Sequence, residues 1–398
     1  MHDVLVIGAG PAGSHTAARL AAYGHSVLVI EKKPGVTGKP SCAGIIGREC
    51  AGLLDLDAGG VLRAARSARF FSPSGLEIAV ARPETQYYTV DRRAFDGLLA
   101  DRARRLGVEY RFDTAAAGIF PGPGGVTVET AAGGKTQRLQ ARAAVFAGGF
   151  SPSFGRRLGL GRIRDFVAGA QAEVEAAVDE VEVYFDQALT SGFFGWLAPS
   201  APGRARVGLL ARRSPAASIS RLMAALIARG KIFPGVGPVR YGAIPLGALP
   251  RTSAERLLVV GDAAGQVKPT TCGGIYYGLL AAGIAARTLH DALAAGDLSA
   301  TRLAGYDRAW RKKLGRELRT GYWARRLFES LSNERIDRIF TVMKSRRIDR
   351  KLVEDRDVSF DWHGKFALSL AGQLALAGVI DSVRAPFRAK IDPKLTND

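Results

Sequence analysis

The sequence predicts an α/β fold: a Rossmann-like nucleotide-binding domain, an inserted α+β domain dominated by an antiparallel sheet, and a helical C-terminal region. Near residues 4 and 256, an apolar strand leads into a glycine-rich turn and then a helix. Between these two units, short alternating segments predict the strands of a second sheet. We expect the nucleotide-binding domain to comprise residues 1–70, 88–165 and 250–300, the inserted domain 71–87 and 166–249, and the C-terminal region 301–398.

The N-terminus reads as a strand–helix–strand unit. Val4–Ile7 and residues 26–30 are apolar runs, and residues 11–23 carry apolar side chains at helical spacing. The intervening turn and the acid after the second strand have the spacing of a dinucleotide fingerprint, in which the helix N-terminus receives the pyrophosphate and the acid binds a ribose hydroxyl. The residues predicted to bind the dinucleotide here are Gly8, Gly10, Pro11, Ala12, Gly13, Glu31 and Lys32.

The middle of the chain alternates between strand and helix patterns. Antiparallel strands are predicted at 69–72 and 77–81, around the turn Ser72-Pro73-Ser74-Gly75, and a helix at 93–106. Further strands of the first domain are predicted at 108–112, 117–120, 126–130 and 138–147. The second sheet is expected to use residues 171–185, 195–199 and 205–210, with a helix at 219–229.

A second glycine-rich unit follows some 250 residues after the first. Residues 256–260 form a buried-type strand that ends in Gly261-Asp262, and a long helix is predicted over 274–294. A Gly-Asp turn can simply cap a helix. Its pairing with the N-terminal fingerprint favours a cofactor role instead. From Thr301 onward the pattern is helical, basic and amphipathic.

Four motifs together resemble the aromatic-hydroxylase class of flavoproteins, which bind FAD. Besides the two glycine-rich units, they are Asp91-Arg92-Arg93-Ala94-Phe95-Asp96, whose first arginine lies near the cofactor in that class, and the strand end Ala144–Ser151. Gly148 stands where the class has Asp. In the class, the residue matching Asp262 contacts the ribityl chain. The resemblance implies FAD contacts at Arg92, Ala147, Gly148, Gly261, Asp262 and Gly265.

Three further stretches resemble the geranylgeranyl reductases. They are Lys39-Pro40-Ser41-Cys42-Ala43-Gly44, Phe194-Gly195-Trp196-Leu197-Ala198-Pro199 and the loop from Gly265 to Ile275. The resemblance implies an FAD-dependent reductase that saturates C=C bonds of an isoprenoid chain on a lipid, a quinone or a related substrate. It also implies FAD contacts at Lys39, Cys42, Ala43, Gly44, Pro269, Gly273, Gly274 and Ile275. The departures from the family pattern are an inserted Ser or a one-residue register shift in the first stretch, Ala43 for Gly, Phe194 for Tyr, Ala198 for Phe and Cys272 for Gly.

Alkene reduction needs a hydride from reduced flavin on one carbon and a proton on the other. We predict Cys42, Trp196 and Phe194 as the catalytic residues: Cys42 as proton donor, because Phe194 replaces a tyrosine, and the two rings as a clamp on the chain. The alternative is that the aromatic cluster belongs to the core. Further substrate contacts are predicted at Phe193, Pro199, Tyr276 and Tyr277. Tyr276, Tyr277, Tyr87 and Tyr88 are alternative proton donors, and a transient disulfide between Cys42 and Cys272 is a hypothesis.

Charge and composition bear on partners. The formal net charge is +19, and residues 301–398 hold 22 basic and 13 acidic side chains. This excess favours a membrane surface or an acidic, ferredoxin-like electron carrier, although an arginine-rich composition explains it equally well. NAD(P)H is the other candidate electron donor. No nucleic-acid motif or metal-ligand spacing is visible, so neither partner is expected. Three cysteines suit a reducing compartment, so we expect a cytoplasmic protein, with peripheral contact to the inner face of the membrane left open.

Two other functions remain open from the sequence. A flavin-dependent monooxygenase or halogenase acting on an aromatic or polyketide substrate would share the FAD motifs, but only Trp196 and Pro199 match the halogenase Trp-x-Trp-x-Ile-Pro motif. A flavoprotein that carries electrons to quinone is the non-catalytic alternative. The sequence has no cysteine cluster for an iron–sulfur centre, which argues against an electron carrier that combines flavin with such a centre.

Overall fold

The computed structural model describes residues 1–37, 41–56, 60–190, 192–354, 359–376 and 378. The chain divides into two compact units. Unit 1 contains Met1–Arg63, Tyr88–Val167 and Ala243–Leu318, and unit 2 contains Ala64–Tyr87, Ala168–Gly242 and the residues from Arg319 onward. Residues of the C-terminal region are therefore found in both units, and helix 300–329 contributes to each.

The strands, in chain order, are β1 (His2–Ile7), β2 (Val27–Ile30), β3 (Ile45–Gly47), β4 (Val61–Ala65), β5 (Ser67–Phe71), β6 (Glu77–Ala81), β7 (Tyr87–Val90), β8 (Glu109–Arg111), β9 (Ala115–Gly122), β10 (Gly125–Ala132), β11 (Lys135–Phe146), β12 (Phe166–Glu175), β13 (Val181–Tyr184), β14 (Gly195–Ala201), β15 (Arg204–Ala211), β16 (Arg240–Pro245), β17 (Ser253–Ala254) and β18 (Leu257–Val259).

The helices are α1 (Pro11–Ala22), α2 (Arg48–Leu53), α3 (Arg92–Arg105), α4 (Phe154–Arg157), α5 (Gln187–Thr190), α6 (Pro215–Ala228), α7 (Ile275–Ala294), α8 (Ala300–Glu329), α9 (Asn333–Ser345), α10 (Ile348–Glu354) and α11 (Gly364–Leu376), with a 3-10 turn at Gly261–Ala264.

Unit 1 is built on a sheet of strand order β17-β18-β11-β1-β2-β8, with β9 and β10 joined to the long strand β11. From β18 to β8 the strands are parallel, as expected of strands linked by helical crossovers. Their apolar runs are buried on both faces, which explains why the sequence reads as continuous hydrophobic segments. The predicted α/β fold is confirmed, and both glycine-rich turns follow strands of this one sheet.

Unit 2 is built on a seven-stranded sheet of order β16-β12-β15-β14-β13-β5-β6. The pairs β12–β15, β15–β14, β14–β13 and β5–β6 are antiparallel, and β13 with β5 is parallel. The hairpin of β5 and β6 forms around the predicted turn. The strand predicted over 171–185 is wrong in one respect. It is two strands, because the chain leaves the sheet between Glu175 and Val181, where Ala176 bridges to Ile232.

The small sheet β3-β7-β4 was not predicted from the sequence. Its strands are only three to five residues long, and β3 lies at the end of a Gly- and Pro-rich stretch whose composition predicts a loop. Short strands of this kind depend on their partners rather than on local propensity. This sheet follows the loop that carries Cys42.

The last helices of unit 2 complete a hydrophobic core. Apolar side chains of α9, α10 and α11 pack together with residues of β5 and β6 in one cluster, which includes Ile78, Phe340, Met343 and Leu374. The apolar side of α11 therefore has a partner within its own unit. In the part of the chain that the structure describes, no helix is both long enough and apolar enough to cross a bilayer.

Candidate functional site

Two glycines of the first turn are required by the packing of the chain itself. Gly8 has φ +108°, and a Cβ there would lie 2.5 Å from the carbonyl oxygen of Ala147. A Cβ on Gly13 would lie 2.0 Å from the carbonyl oxygen of Gly8. Neither position accepts a side chain, because backbone atoms cannot retreat as a flexible side chain would. Together they let α1 begin directly against the ends of β1 and β11.

Gly10 differs from both of these glycines. Its φ of −73° is open to any residue, and no atom lies within 4 Å of its Cβ position. Among the described residues no side chain caps α1, whose first turn contains Pro11 and no acid. A glycine without a steric reason, beside a helix N-terminus without a side-chain cap, is what a closely approaching pyrophosphate requires. The turn therefore fits the diphosphate of a dinucleotide such as FAD.

Glu31 ties this turn to the end of β2. Its carboxylate accepts hydrogen bonds from the backbone N–H of Ala9 at 2.9 Å and of Lys33 at 3.1 Å. Each carboxylate oxygen therefore has one backbone donor and keeps free lone pairs, so the predicted ribose contact remains compatible with this arrangement. Lys32 is exposed beside it, and Lys39 lies outside the described residues.

The second glycine-rich loop meets the first. A Cβ on Gly261, where φ is +70°, would lie 3.1 Å from the Cβ of Ala12, so segments 250 residues apart pack in close contact. A Cβ on Gly265 would lie 2.1 Å from the carbonyl oxygen of Gly247, and one on Gly274 would lie 2.4 Å from Oδ1 of Asp262. Asp262 is thus held directly at the start of α7. The structure brings these predicted FAD residues together at one edge of the sheet.

A buried hydrogen-bond chain that the sequence did not reveal supports this loop. The side chain of Gln266 accepts from the Gly261 N–H at 2.7 Å and donates to the Tyr306 hydroxyl at 2.8 Å. That hydroxyl donates in turn to the carbonyl oxygen of Val259 at 3.0 Å. Gln266 and Tyr306 are fully buried, and burial raises the pKa of Tyr306. Gln266 lies in the recognised loop, but no sequence signal pairs it with a tyrosine 40 residues later.

A second hydrogen-bond network joins α8 to Thr252 and Ser253, at the start of β17. Asp307 accepts from the backbone N–H of Thr252 at 3.1 Å, from its hydroxyl at 2.8 Å and from the Ser253 hydroxyl at 2.5 Å. The indole N–H of the fully buried Trp310 donates to the Thr252 hydroxyl at 2.8 Å. The start of α8 is therefore part of the framework of the cofactor site.

Cys42 lies beside a buried ion pair. Arg92, at the first position of α3, donates to both carboxylate oxygens of Asp96, at 2.9 and 2.8 Å. Burial alone would lower the pKa of Arg92, but the charges of Cys42 and Asp96 and the hydrogen bonds to Asp96 raise it. The Gly44 N–H points to the Cys42 sulfur at 3.4 Å.

The loop before α7 holds the remaining predicted residues of unit 1. Cys272 has φ +58°, a left-handed conformation that suits the glycine of the family pattern better than cysteine. All three cysteines are free thiols. Tyr276 donates from its hydroxyl to Glu49 at 3.1 Å and is partly exposed. Pro269 is buried. Tyr277 is fully buried as well, so its side chain packs in the core and is not accessible to a substrate.

Unit 2 carries an aromatic row, defined here as Trp196, Phe194, Phe185 and Phe328. Successive ring centroids lie 6.1, 6.2 and 5.3 Å apart, and all four side chains are partly exposed. The Trp196 indole lies over Gly208 of the neighbouring strand, where a Cβ would meet it at 2.3 Å. Among the described residues, the buried indole N–H finds no acceptor. An orphaned donor of this kind is typical of a site that a ligand or water completes.

Three predicted site residues of unit 2 are either buried or hydrogen-bonded to the backbone. Phe193 is 1% exposed, with the Arg325 guanidinium 3.7 Å above its ring, so packing takes the place of the predicted substrate contact. Pro199 is buried within β14. The Tyr87 hydroxyl donates to the carbonyl oxygen of Ser67 at 2.7 Å and accepts from the Val181 N–H at 3.2 Å. Its proton is engaged by backbone, so it is poorly suited as a donor.

Comparison with known proteins gives a matching family model and a similar reductase. Residues 3–354 match the family model described as lycopene cyclase protein. Digeranylgeranylglycerophospholipid reductase 2 of Methanothermobacter thermautotrophicus is 31% identical over 370 residues, covering 87% of this chain and 92% of that protein.

Two solved structures share the fold. A geranylgeranyl bacteriochlorophyll reductase-like protein of Thermoplasma acidophilum has a TM-score of 0.83 at 22% identity, covering 95% of this chain and 99% of that one. The p-nitrophenol 4-monooxygenase of Pseudomonas putida has a TM-score of 0.69 at 18% identity, covering 97% and 99%. The structural likeness extends to hydroxylases, whereas the sequence likeness is to reductases. The chain therefore belongs to the geranylgeranyl reductase family of FAD-dependent oxidoreductases.

Proposed function

We propose that the protein uses FAD to saturate C=C bonds in the isoprenoid chains of a lipid. The observation that carries this proposal is the likeness, over nearly the whole of both chains, to a digeranylgeranylglycerophospholipid reductase. The site supports it, because a turn suited to a pyrophosphate and the Cys42 thiol occur in the same unit. A prenyl glycerophospholipid is the first substrate to test, ahead of a prenyl quinone or prenyl diphosphate.

The residues divide into three tasks. The backbone at Gly10 and the N-terminus of α1 would hold the FAD pyrophosphate. Asp262, beside the N-terminus of α7, would contact the same cofactor. When bound and reduced, FAD supplies the hydride. Cys42 supplies the proton to the other alkene carbon, and the aromatic row of unit 2 binds the apolar chain through ring faces.

Cys42 remains the proposed proton donor for a physical reason. Protonation of a carbon needs an acid at the reacting atom whose conjugate base is stabilised. Cys42 has a backbone N–H on its sulfur and the charge of Arg92 nearby, whereas Tyr87 is committed to backbone partners and Tyr277 is inaccessible. Tyr276 is the alternative, because its hydroxyl is partly exposed and bound to Glu49.

The decisive experiment is anaerobic turnover with dithionite-reduced enzyme. Digeranylgeranylglyceryl phospholipid, geranylgeranyl diphosphate and menaquinone are supplied separately, and the products are analysed by mass spectrometry. We expect a gain of 2 mass units per reduced bond without oxygen incorporation. We expect this gain to be lost in Cys42→Ala and kept in Cys272→Gly. Oxygen transfer after admission of air would indicate a monooxygenase. A product isomeric with the substrate would indicate cyclisation, the activity in the name of the matching family model.

The electron donor and the membrane contact are further parts of the proposal. A carrier protein with acidic surface, or NAD(P)H, would replace dithionite, and supplying each in turn distinguishes them. The charge of +19 supports peripheral binding to anionic lipid. We expect co-sedimentation with vesicles that contain phosphatidylglycerol, weakened by 0.5 M salt, and little with neutral vesicles, because screening removes surface attraction. Equal binding to both vesicles would contradict this electrostatic contact.

A further inference from the structure

Helices α1 and α7 border a groove on the surface of unit 1, called here the α1–α7 groove. Its volume is about 400 Å³, which is within the usual range of small-molecule sites. The cofactor turn lies at the N-terminal end of α1, about two helical turns before the groove. Successive turns of the two helices line the groove with His15, Arg19 and Tyr23 of α1 and Leu280, Ile284 and Arg287 of α7.

The α1–α7 groove is apolar at one end and cationic at the other. The two helices run in the same direction. Near their starts, a Cβ on Gly278 would lie 3.6 Å from the Cβ of Ala12. Near their ends, the Arg287 guanidinium lies 4.9 Å from the centroid of the Tyr23 ring. The leucines therefore lie toward the start of α7 and the arginines toward the ends of both helices, an arrangement that matches a ligand with an apolar chain and a charged head.

The cationic end is built around Tyr23. The guanidinium of Arg19 lies 5.8 Å from the ring centroid and donates to the Tyr23 hydroxyl at 3.4 Å. Both Arg19 and Arg287 are exposed at the rim, and within the described part of the chain neither forms an ion pair with a carboxylate. Burial, and then the positive charges of Arg19 and Arg102, lower the pKa of His15 at the groove wall. This end therefore attracts an anion.

Gly283 keeps the α1–α7 groove open. It stands in the middle of α7, where glycine destabilises a helix relative to alanine or leucine. Gly278 packs closely, because its Cβ position lies 3.4 Å from the Cα of Gly261. Outside the backbone of its own helix, no atom lies within 4 Å of the Cβ position of Gly283. Packing gives no reason for a glycine here, and its effect is to leave space in the groove.

We propose that the α1–α7 groove binds one anionic lipid, with the hydrocarbon chain along its leucine end and the phosphate between Arg19 and Arg287. Guanidinium groups bind phosphate oxygens through paired hydrogen bonds, which a neutral head group cannot replace. The chain would cover Leu53, which is 40% exposed at the apolar end. This site is separate from the proposed reductase site and does not depend on alkene reduction. It would give the proposed contact with anionic lipid a specific place on the molecule.

The test uses the FAD-loaded enzyme and three probes that contain no reducible double bond. Dodecyl phosphate has both the chain and the anion, dodecyl maltoside has the chain alone, and inorganic phosphate has the anion alone. Calorimetry gives each affinity, and the NMR signal of the His15 imidazole detects occupancy of the groove that its ring lines. We expect dodecyl phosphate to shift this signal saturably, and the other two probes to bind at least about tenfold more weakly.

Two variants remove the two halves of the site. Gly283→Leu places a side chain in the groove without a clash, so it should remain folded and bind dodecyl phosphate at least about tenfold more weakly. Arg19→Gln/Arg287→Gln removes both cations and should weaken binding at least about tenfold as well. Arg221→Gln/Arg240→Gln is the matched control. It lowers the net charge equally at two exposed positions of unit 2 and should leave the affinity unchanged.

Each half of the proposal can fail separately. Dodecyl maltoside bound as tightly as dodecyl phosphate would show an apolar crevice that does not recognise an anion. Inorganic phosphate bound as tightly, with no effect of Gly283→Leu, would show an anion site without a place for the chain. Either result, or a His15 signal that dodecyl phosphate does not shift, would overturn the inference. Since no turnover is measured, none of these outcomes bears on the proposed reductase activity.

Discussion

Three glycines of a single turn play different parts. Gly8 and Gly13 are excluded from carrying a side chain by backbone atoms 2.5 and 2.0 Å from their Cβ positions, whereas the Cβ position of Gly10 meets nothing within 4 Å. The fold therefore requires two of the three glycines, and the ligand requires the third.

Replacing these glycines should separate folding from cofactor binding. Gly10→Ala should leave the melting temperature of the apoprotein within about 1 °C, because no contact is created. The added methyl group would stand where the pyrophosphate approaches, so FAD affinity should fall at least about tenfold, measured by fluorescence titration. Gly8→Ala is the matched comparison and should give little folded protein. Normal FAD affinity in Gly10→Ala would contradict the assigned place of the pyrophosphate.

Cys272 occupies a left-handed backbone position, which costs an ordinary residue about 1–2 kcal/mol. Cys272→Gly should therefore be neutral or stabilising by up to about 1 kcal/mol in urea, after the larger chain entropy of unfolded glycine is counted. Cys272→Val should be destabilising, since β-branched residues tolerate this conformation least. A clear loss of stability in Cys272→Gly would show that the thiol makes a contact worth more than the strain.

At this scale the sequence predicted residue types better than residue contacts. Arg92 and Cys42 were both expected near the cofactor, but nothing in the sequence indicates that Arg92 is buried in an ion pair with Asp96. Phe193 and Tyr277 were expected at the substrate and lie in the core. Phe193 and Tyr277 each have an aromatic neighbour that is partly exposed, and only the fold decides which of two adjacent rings is covered.

Among the elements, the link between the 3-10 turn at Gly261–Ala264 and α8 was the least predictable. The amphipathic pattern indicates that α8 is a helix, but not that Tyr306 reaches Gln266 and Val259 beneath the cofactor loop. The parallel strands and both glycine-rich turns were predictable because their signals are local. The three short strands β3, β4 and β7 were not, because they exist only through their pairing.

Tyr306→Phe tests the importance of this link. It removes one hydroxyl and leaves the Gln266 amide and the Val259 carbonyl without that partner, at a cost of about 1–3 kcal/mol. Because Gln266 also holds the Gly261 N–H, FAD should dissociate faster, measured by stopped-flow fluorescence. Tyr241→Phe is the control, since Tyr241 is 54% exposed and should change neither quantity. An unchanged FAD dissociation rate in Tyr306→Phe would mean that the loop is held by other contacts.

For the molecule as a whole, acid should reduce stability through His15 in α1. Burial first, and then the positive charges of Arg19 and Arg102, lower the pKa of His15 from 6.5 to about 4. The folded chain thus binds this proton more weakly than the unfolded chain. The contribution is fully present above about pH 6.5 and is lost as the pH falls toward 4. At pH 5, after a discount for partial exposure, the loss is about 1 kcal/mol.

His15→Gln should remove this part of the acid sensitivity. The variant cannot take up the proton, so its free energy of unfolding in urea should fall about 1 kcal/mol less than that of the wild type between pH 7 and pH 5. His2→Gln is a suitable control, because His2 lies at the start of β1 and not in α1. Identical pH profiles for wild type and His15→Gln would show that protonation of His15 does not oppose folding.

The packing of Ala12 against Gly261 has a consequence for synthesis of the protein. The cofactor cradle uses the first residues to leave the ribosome and a loop that is made 250 residues later, and α8 beneath that loop comes later still. FAD therefore cannot be loaded onto a nascent chain until some three quarters of it has been made. Until then the early strands must persist without their parallel neighbour β18, a state exposed to aggregation. Supply of riboflavin should then affect the yield of folded protein chiefly after the chain has left the ribosome, when FAD can bind and stabilise the folded state.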